Sequence, residues 1–137
     1  MAFLRPAAPA GLKKAIYGIF QEHPHVCRIV IEGGGHLADI WEKEAKKRGI
    51  PLCKISAETW RRDLLYPREQ RNHRCAKINA CILARKIIQW SGAKRPTSLR
   101  HDAAEAILAG LWGVVQAGWL TELPQGVNRI PGLLEAP

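Results

Sequence analysis

Asp102 and Glu105 stand three residues apart in the run His101-Asp102-Ala103-Ala104-Glu105-Ala106, at the head of a segment that is apolar through Val115. Residues three apart on a helix share a face, so the two carboxylates have the spacing to hold one divalent cation. Behind them, Ile107, Leu108, Leu111, Trp112, Val114 and Val115 leave the helix almost no polar side, which predicts an interior position for it. Charge on an interior helix is costly unless it is paired or holds a metal. The same spacing also suits a plain helix start, with Asp102 as the cap and Glu105 completing a capping box. A third acid, Glu32, closes the apolar run Cys27-Arg28-Ile29-Val30-Ile31 and extends the metal reading to a set of three.

Acids can be brought together only by a scaffold. Leu12, Ala15, Ile16, Ile19 and Phe20 recur at helical spacing and predict an amphipathic helix over 9–21, ended by Pro24. Residues 27–32 read as a strand and Gly33-Gly34-Gly35 as a tight turn. Leu37, Ile40, Trp41 and Ala45 form the inner face of a helix that stops near Gly49. A second strand over 51–55 completes a strand-helix-strand crossover, hence a parallel pair and an α/β domain with flanking helices. Ser56 caps a short helix carrying Trp60 and Leu64, which Pro67 closes. A longer helix follows, with Ala76, Ala80, Leu83, Ile87 and Trp90 inside. Ser91-Gly92 and Pro96 then mark a loop bearing Lys94, Arg95 and Arg100 that runs into Asp102. Residues 118–137 lack helical periodicity and read as a C-terminal tail, which leaves 1–117 as one domain. The run 27–32 has the composition of an interior parallel strand, covered on both faces and paired on both edges. Its one clear neighbour is 51–55, so either an edge lies open or strands are missing on the N-terminal side.

A chain of 137 residues, 47% hydrophobic and 24% charged, can bury a single core. Its formal net charge of +9 points to a polyanionic partner, nucleic acid first. No apolar run approaches the ~20 residues that span a bilayer, and residues 1–10 lack the apolar core of a signal peptide. The expectation is a cytoplasmic protein with no membrane partner. The four cysteines, Cys27, Cys53, Cys75 and Cys81, form no C-x-x-C pair; Cys27 and Cys53 fall in the expected strands, so reduced core thiols are expected. The alternation His23, His25, Cys27 and the pair His73, Cys75 do not match the usual structural zinc spacings.

Arg61 and Arg62 follow Trp60, and Arg68, Arg71, Arg74 and Lys77 line the approach to the long helix. Singly, each suits a solvated helix face. As a cluster with Lys94 and Arg95 they suit contact with a nucleic-acid backbone, which is salt-sensitive and tolerant of sequence. Lys43, Lys46, Lys47 and Arg48 read instead as an exposed face balanced by Glu42 and Glu44. Trp41, Trp60, Trp90, Trp112 and Trp119 could stack on bases, though Trp41, Trp90 and Trp112 sit on apolar faces that suit core packing. Gly33-Gly34-Gly35-His36-Leu37-Ala38 fits a G-x-G-x-x-A dinucleotide turn. The strand that follows ends in Ile55-Ser56, without the acid that a ribose requires.

The order of these features resembles the RuvC-type Holliday junction resolvases of the RNase H-like superfamily, phage-like and organellar members above all. The resemblance runs over 12–115 and is carried by Val30-Ile31-Glu32, Thr59-Trp60-Arg61, Lys77 in the long helix and the acidic run at 102–106. It implies a Mg²⁺-dependent, structure-selective DNA endonuclease that hydrolyses phosphodiesters with two metal ions. Glu32, Asp102 and Glu105 would be metal ligands and catalytic residues, and Lys77 would lie near the scissile phosphate. Two cations side by side activate a water and stabilise the leaving oxygen, and hard Mg²⁺ takes carboxylate oxygens. Branched DNA is the implied partner, a homodimer the implied assembly, and a bacterial or phage-like cytoplasm the implied setting.

The family's first strands, with an Asp that touches both metals, have no counterpart upstream of Glu32, where Glu22 is the one acid. The expectation is therefore an N-terminally shortened RNase H-like domain in which loss of a bridging ligand costs orders of magnitude in rate. The alternative is a non-catalytic nucleic-acid-binding or assembly module of the same fold, which keeps the basic surface without a complete metal site.

Overall fold

The structure, a computed structural model, describes residues 9–120, 122–124 and 127. Its chain divides into two compact units, Met1–Lys54 and Ile55–Pro137. The first carries helix α1 (Pro9–Glu22), strand β1 (Ile29–Glu32), helix α2 (Gly35–Lys47) and most of strand β2 (Leu52–Ile55). The second carries helices α3 (Ala57–Leu64), α4 (His73–Ser91) and α5 (His101–Gln116), with a short 3-10 helix, Pro67–Gln70, between α3 and α4.

In the first unit, the apolar spacing of α1 places Leu12 and Ile16 against Ile40 of α2, with Phe20 and Trp41 packed beside them. The Phe20 and Trp41 rings meet edge to face at 6.2 Å, and the Arg48 guanidinium lies 4.4 Å from the Phe20 centroid. β1 and β2 pair in parallel as a two-stranded sheet; the Ile29 amide donates to the Pro51 carbonyl at 3.0 Å where the pairing begins. Between β1 and α2 the backbone turns through Gly33 and Gly35, whose φ of 91° and 81° lie where a side chain is strained. That local demand explains the glycines without a nucleotide.

The sheet corrects the interior-strand expectation. β1 is half-buried along its whole length, because a two-stranded sheet cannot seal both faces and both edges. Cys27 precedes β1 and is exposed, while Cys53, Cys75 and Cys81 are partly buried, so the thiols are free but not core thiols. The buried face of α2 comprises Ala38, Ile40, Glu44 and Ala45, and Leu37 is exposed in place of Ala38.

Glu44 is buried where the spacing had put it on a solvated face. Its carboxylate accepts from Arg48 Nη1 at 2.8 Å and from Lys47 Nζ at 3.0 Å. Arg48 first, then Lys47, hold its carboxyl below the ordinary carboxylate value. Lys54 on β2 reaches two acids of α2, Glu42 at 2.8 Å and Asp39 at 3.1 Å, and these raise its pKa.

In the second unit, Ser56 caps α3 by accepting from the Thr59 amide at 3.3 Å, and Asn72 caps α4 by accepting from the Cys75 amide at 2.9 Å. α4 ends at Gly92 in the left-handed conformation. α4 and α5 pack together, as do α3 and α5, around Trp60, Leu64, Leu65, Leu83, Leu108, Leu111 and Val115. Ala76, Ala80 and Ala84 line one stripe of α4, and α5 buries Ala103, Ala104 and Ala109. Trp90 is exposed near the end of α4, so it does not join the inner face. Leu123 and Val127, beyond α5, are buried, which the lack of periodicity there did not announce; most of residues 121–137 lie outside the described residues.

Asp63, 4% exposed, ties α3 to α5. Its Oδ2 accepts the indole N–H of Trp112 at 2.7 Å and its Oδ1 accepts Nε of Arg62 at 2.9 Å.

Two outcomes are expected from this packing. Trp112→Phe keeps an aromatic ring but removes the donor to a buried carboxylate, and should cost about 1.5–3 kcal/mol in urea unfolding. Because the Glu44 carboxyl is held below its ordinary value, its contribution to stability is present above the unfolded value near 4.5 and is lost as pH falls through the lower folded value. Glu44→Gln, which cannot titrate, should therefore flatten the stability profile below pH 4.5, as read by circular dichroism.

Candidate functional site

The first turn of α5 decides the fate of the acidic pair. α5 starts at His101 with Arg100 as its N-cap residue, and no side chain caps it, so the capping reading of Asp102 does not hold. Asp102 lies in the first turn, where a negative charge opposes the positive end of the helix. Its Oδ1 accepts the Ala103 amide at 3.0 Å and lies 3.4 Å from Arg100 Nε. Its side chain is 60% exposed, against the expected buried charge, because the first turn precedes the part of α5 that is packed inside.

Glu105, one turn on, is 21% exposed and accepts Nη2 of Arg61 at 3.0 Å. It makes no capping box. Arg61 itself is 14% exposed, reaches across from α3, and has its guanidinium 5.3 Å from the Trp60 ring. Trp60 is fully buried and gives the core, not a base-stacking surface. Arg61 Nε is buried and has no hydrogen-bond partner among the described residues.

Glu32 is half-buried as the last residue of β1 in the first unit. The C-terminal end of a parallel strand is where α/β proteins place functional groups. Among the described residues, no group of three or more His, Cys, Asp or Glu side chains is gathered where it could hold a metal ion. The donors on α5 have the oxygen chemistry that Mg²⁺ prefers, but each already faces an arginine. As placed, they make an acid-guanidinium pair and not a cation centre.

The basic residues divide by setting. Arg62 is 73% exposed with Nε on Asp63, and Arg68 stands over the Tyr66 ring at 4.6 Å. Arg71, just before α4, and Arg74 in its first turn are exposed, Lys77 is half-buried on it, and Lys94 and Arg95 are exposed in the loop before α5. A cavity of about 650 Å³ opens between α3 and the start of α4, lined by Ser56, Glu58, Arg61, Arg62, Asn72 and His73 among others. It brings Arg61 and Arg62 into one concave surface, which their adjacency in sequence could not foretell. A smaller cavity of about 250 Å³ near the end of α4 has Arg85 and Arg95 in its lining.

Two contacts of this region escaped the sequence. The Asp63–Trp112 bond joins residues with no shared motif. Cys81 Sγ also lies 3.2 Å from Nδ1 of His101, a pairing whose one signal is that each stands on a helix destined to pack against the other. Burial pushes the Cys81 thiol above its ordinary value; Arg85 opposes the rise and Glu105 adds to it. The Cys81 thiol should therefore alkylate with iodoacetamide at neutral pH more slowly than exposed Cys27, which peptide mass spectrometry would check.

No helix among the described residues is long and apolar enough to cross a membrane. Compared with protein-family models, curated proteins and solved structures, the chain has no significant match.

Proposed function

We propose that this chain acts on the phosphodiester backbone of DNA as a Mg²⁺-dependent, structure-selective endonuclease of the RuvC-like, RNase H-like kind. The observation that carries the reading is the junction of α3 and α5, where Glu105 meets Arg61 one turn from Asp102 and Arg61 also lines a cationic cavity. Phosphodiester hydrolysis needs that neighbourhood: guanidinium groups to hold the phosphate oxygens beside carboxylates that take a divalent ion. Further support comes from the parallel strand-helix-strand unit with Glu32 at the end of its first strand, and from the net charge of +9.

Asp102 and Glu105, one turn apart on α5, would hold Mg²⁺, which when bound supplies an activated water and charge neutralisation. This chain's own residues hold the substrate. Arg61 and Arg62 take backbone oxygens, with Arg68, Arg71, Arg74, Lys94 and Arg95 extending the electrostatic footprint and Lys77 lying toward the scissile phosphate. For Glu105 to serve a cation, Arg61 must leave it, and a phosphate is the acceptor that could take Arg61 in exchange. Branched DNA is the proposed substrate and a homodimer the proposed assembly.

The pairing of Arg61 with Glu105 also favours a second reading, a nucleic-acid-binding or assembly module that does not cleave. Incubation with a four-way DNA junction and Mg²⁺, alongside a binding assay, separates the two. The endonuclease reading expects cleavage that falls by about two orders of magnitude in Asp102→Asn and Glu105→Gln, with junction binding retained. Cleavage at the wild-type rate in Asp102→Asn would overturn the assignment, and binding without any cleavage selects the module.

A further inference from the structure

We infer that the cavity between α3 and the start of α4 is a dedicated phosphate-binding site, with Arg61 and Arg62 as its cations. The inference deepens the backbone-binding part of the function proposed above and does not depend on the carboxylates of α5.

At about 650 Å³ the cavity falls within the range of small-ligand pockets. Its lining carries two arginines and a histidine against one acid, Glu58. The side chain of Arg62 is anchored at Nε by the buried Asp63 carboxylate, which fixes the direction in which its exposed guanidinium projects. Anchoring of that kind removes the conformational entropy that a loose surface arginine loses on binding.

Arg61 supplies the second argument. One end of its guanidinium is taken by Glu105, whereas Nε is buried with no hydrogen-bond partner among the described residues. Buried N–H groups are almost always paired, and a guanidinium is built to give two parallel donors to one phosphate. Turning toward a phosphate in the cavity gives Nε an acceptor that its present surroundings do not supply. Asn72, whose Oδ1 is spent on capping α4, keeps its amide nitrogen as a neutral donor at the cavity wall.

A phosphate bound here belongs either to an internal phosphodiester or to a terminal monoester, and the chemistry of recognition is common to both. The test titrates the full chain with inorganic phosphate by NMR at constant ionic strength, with chloride as the control. Oligonucleotides with a 5′-phosphate or a 5′-hydroxyl follow. Saturable binding of phosphate is expected, weakened about tenfold in Arg62→Gln and tightened about twofold in Glu58→Gln, which removes the like charge without touching a cation. Thermal unfolding confirms that each variant folds, and Glu58→Gln alone suffices if Arg62→Gln does not. Preference for the 5′-phosphate assigns the site to a monoester, and equal binding of the two oligonucleotides assigns it to the internal backbone.

Phosphate shifts no greater than those with chloride would overturn the inference, as would an affinity unchanged in the folded variants. Junction binding that survives such a result leaves the proposed function standing. A phosphate site intact in a chain that does not bind junction DNA leaves the site standing and removes the function.

Discussion

The buried carboxylate of Asp63 is the constraint on which the second unit depends. A charge so removed from water must be paid for by partners of fixed geometry, and Asp63 has two, the indole of Trp112 on α5 and the guanidinium of Arg62 beside it. The first fastens α3 to α5. The second ties down Arg62, which lines the cavity. Two residues back along α3, Arg61 reaches Glu105 across the same helix pair. Bonds that link α3 to α5 thus also involve the arginines that line the cavity.

The first unit uses electrostatics differently. Its apolar cluster is small, with Leu12, Ile16 and Ile40 fully buried and two aromatic rings at its edge. Such a core contributes little on its own. Charges along α2 supplement it: Glu44 gathers Lys47 and Arg48 near the C-terminal end, and Lys54 of β2 pairs with Asp39 and Glu42 in the middle of the helix. The Lys54 pairs lie near the surface, where each is worth little alone and salt weakens it.

Element boundaries were legible in the chain because punctuating residues carry local physics. Ser56, Pro67, Gly92 and the glycines after Glu32 mark starts, stops and turns that the structure keeps. The parallel pair followed from a strand, a helix and a strand in sequence. Burial was less legible. Periodicity names a face without fixing its rotation, so Leu37 stood in for Ala38 and Trp90 was placed inside. Asp102 was expected inside because its helix is apolar, yet the first turn emerges before the packing begins. The partners of Glu105, Asp63 and Cys81 come from helices distant in sequence, and no spacing along one helix encodes them.

The stripe of small residues at 76, 80 and 84 on α4, with Ala103, Ala104 and Ala109 buried on the helix packed against it, has an evolutionary consequence. A larger side chain at one of these buried positions must displace close-packed neighbours, which costs stability wherever the surroundings cannot yield. Divergence should be nearly frozen along that stripe and free on the outer face of α4, where Ile78 and Ile82 are exposed. Distant descendants of this chain should thus be recognisable by where they have kept alanine, even after the charged residues have drifted.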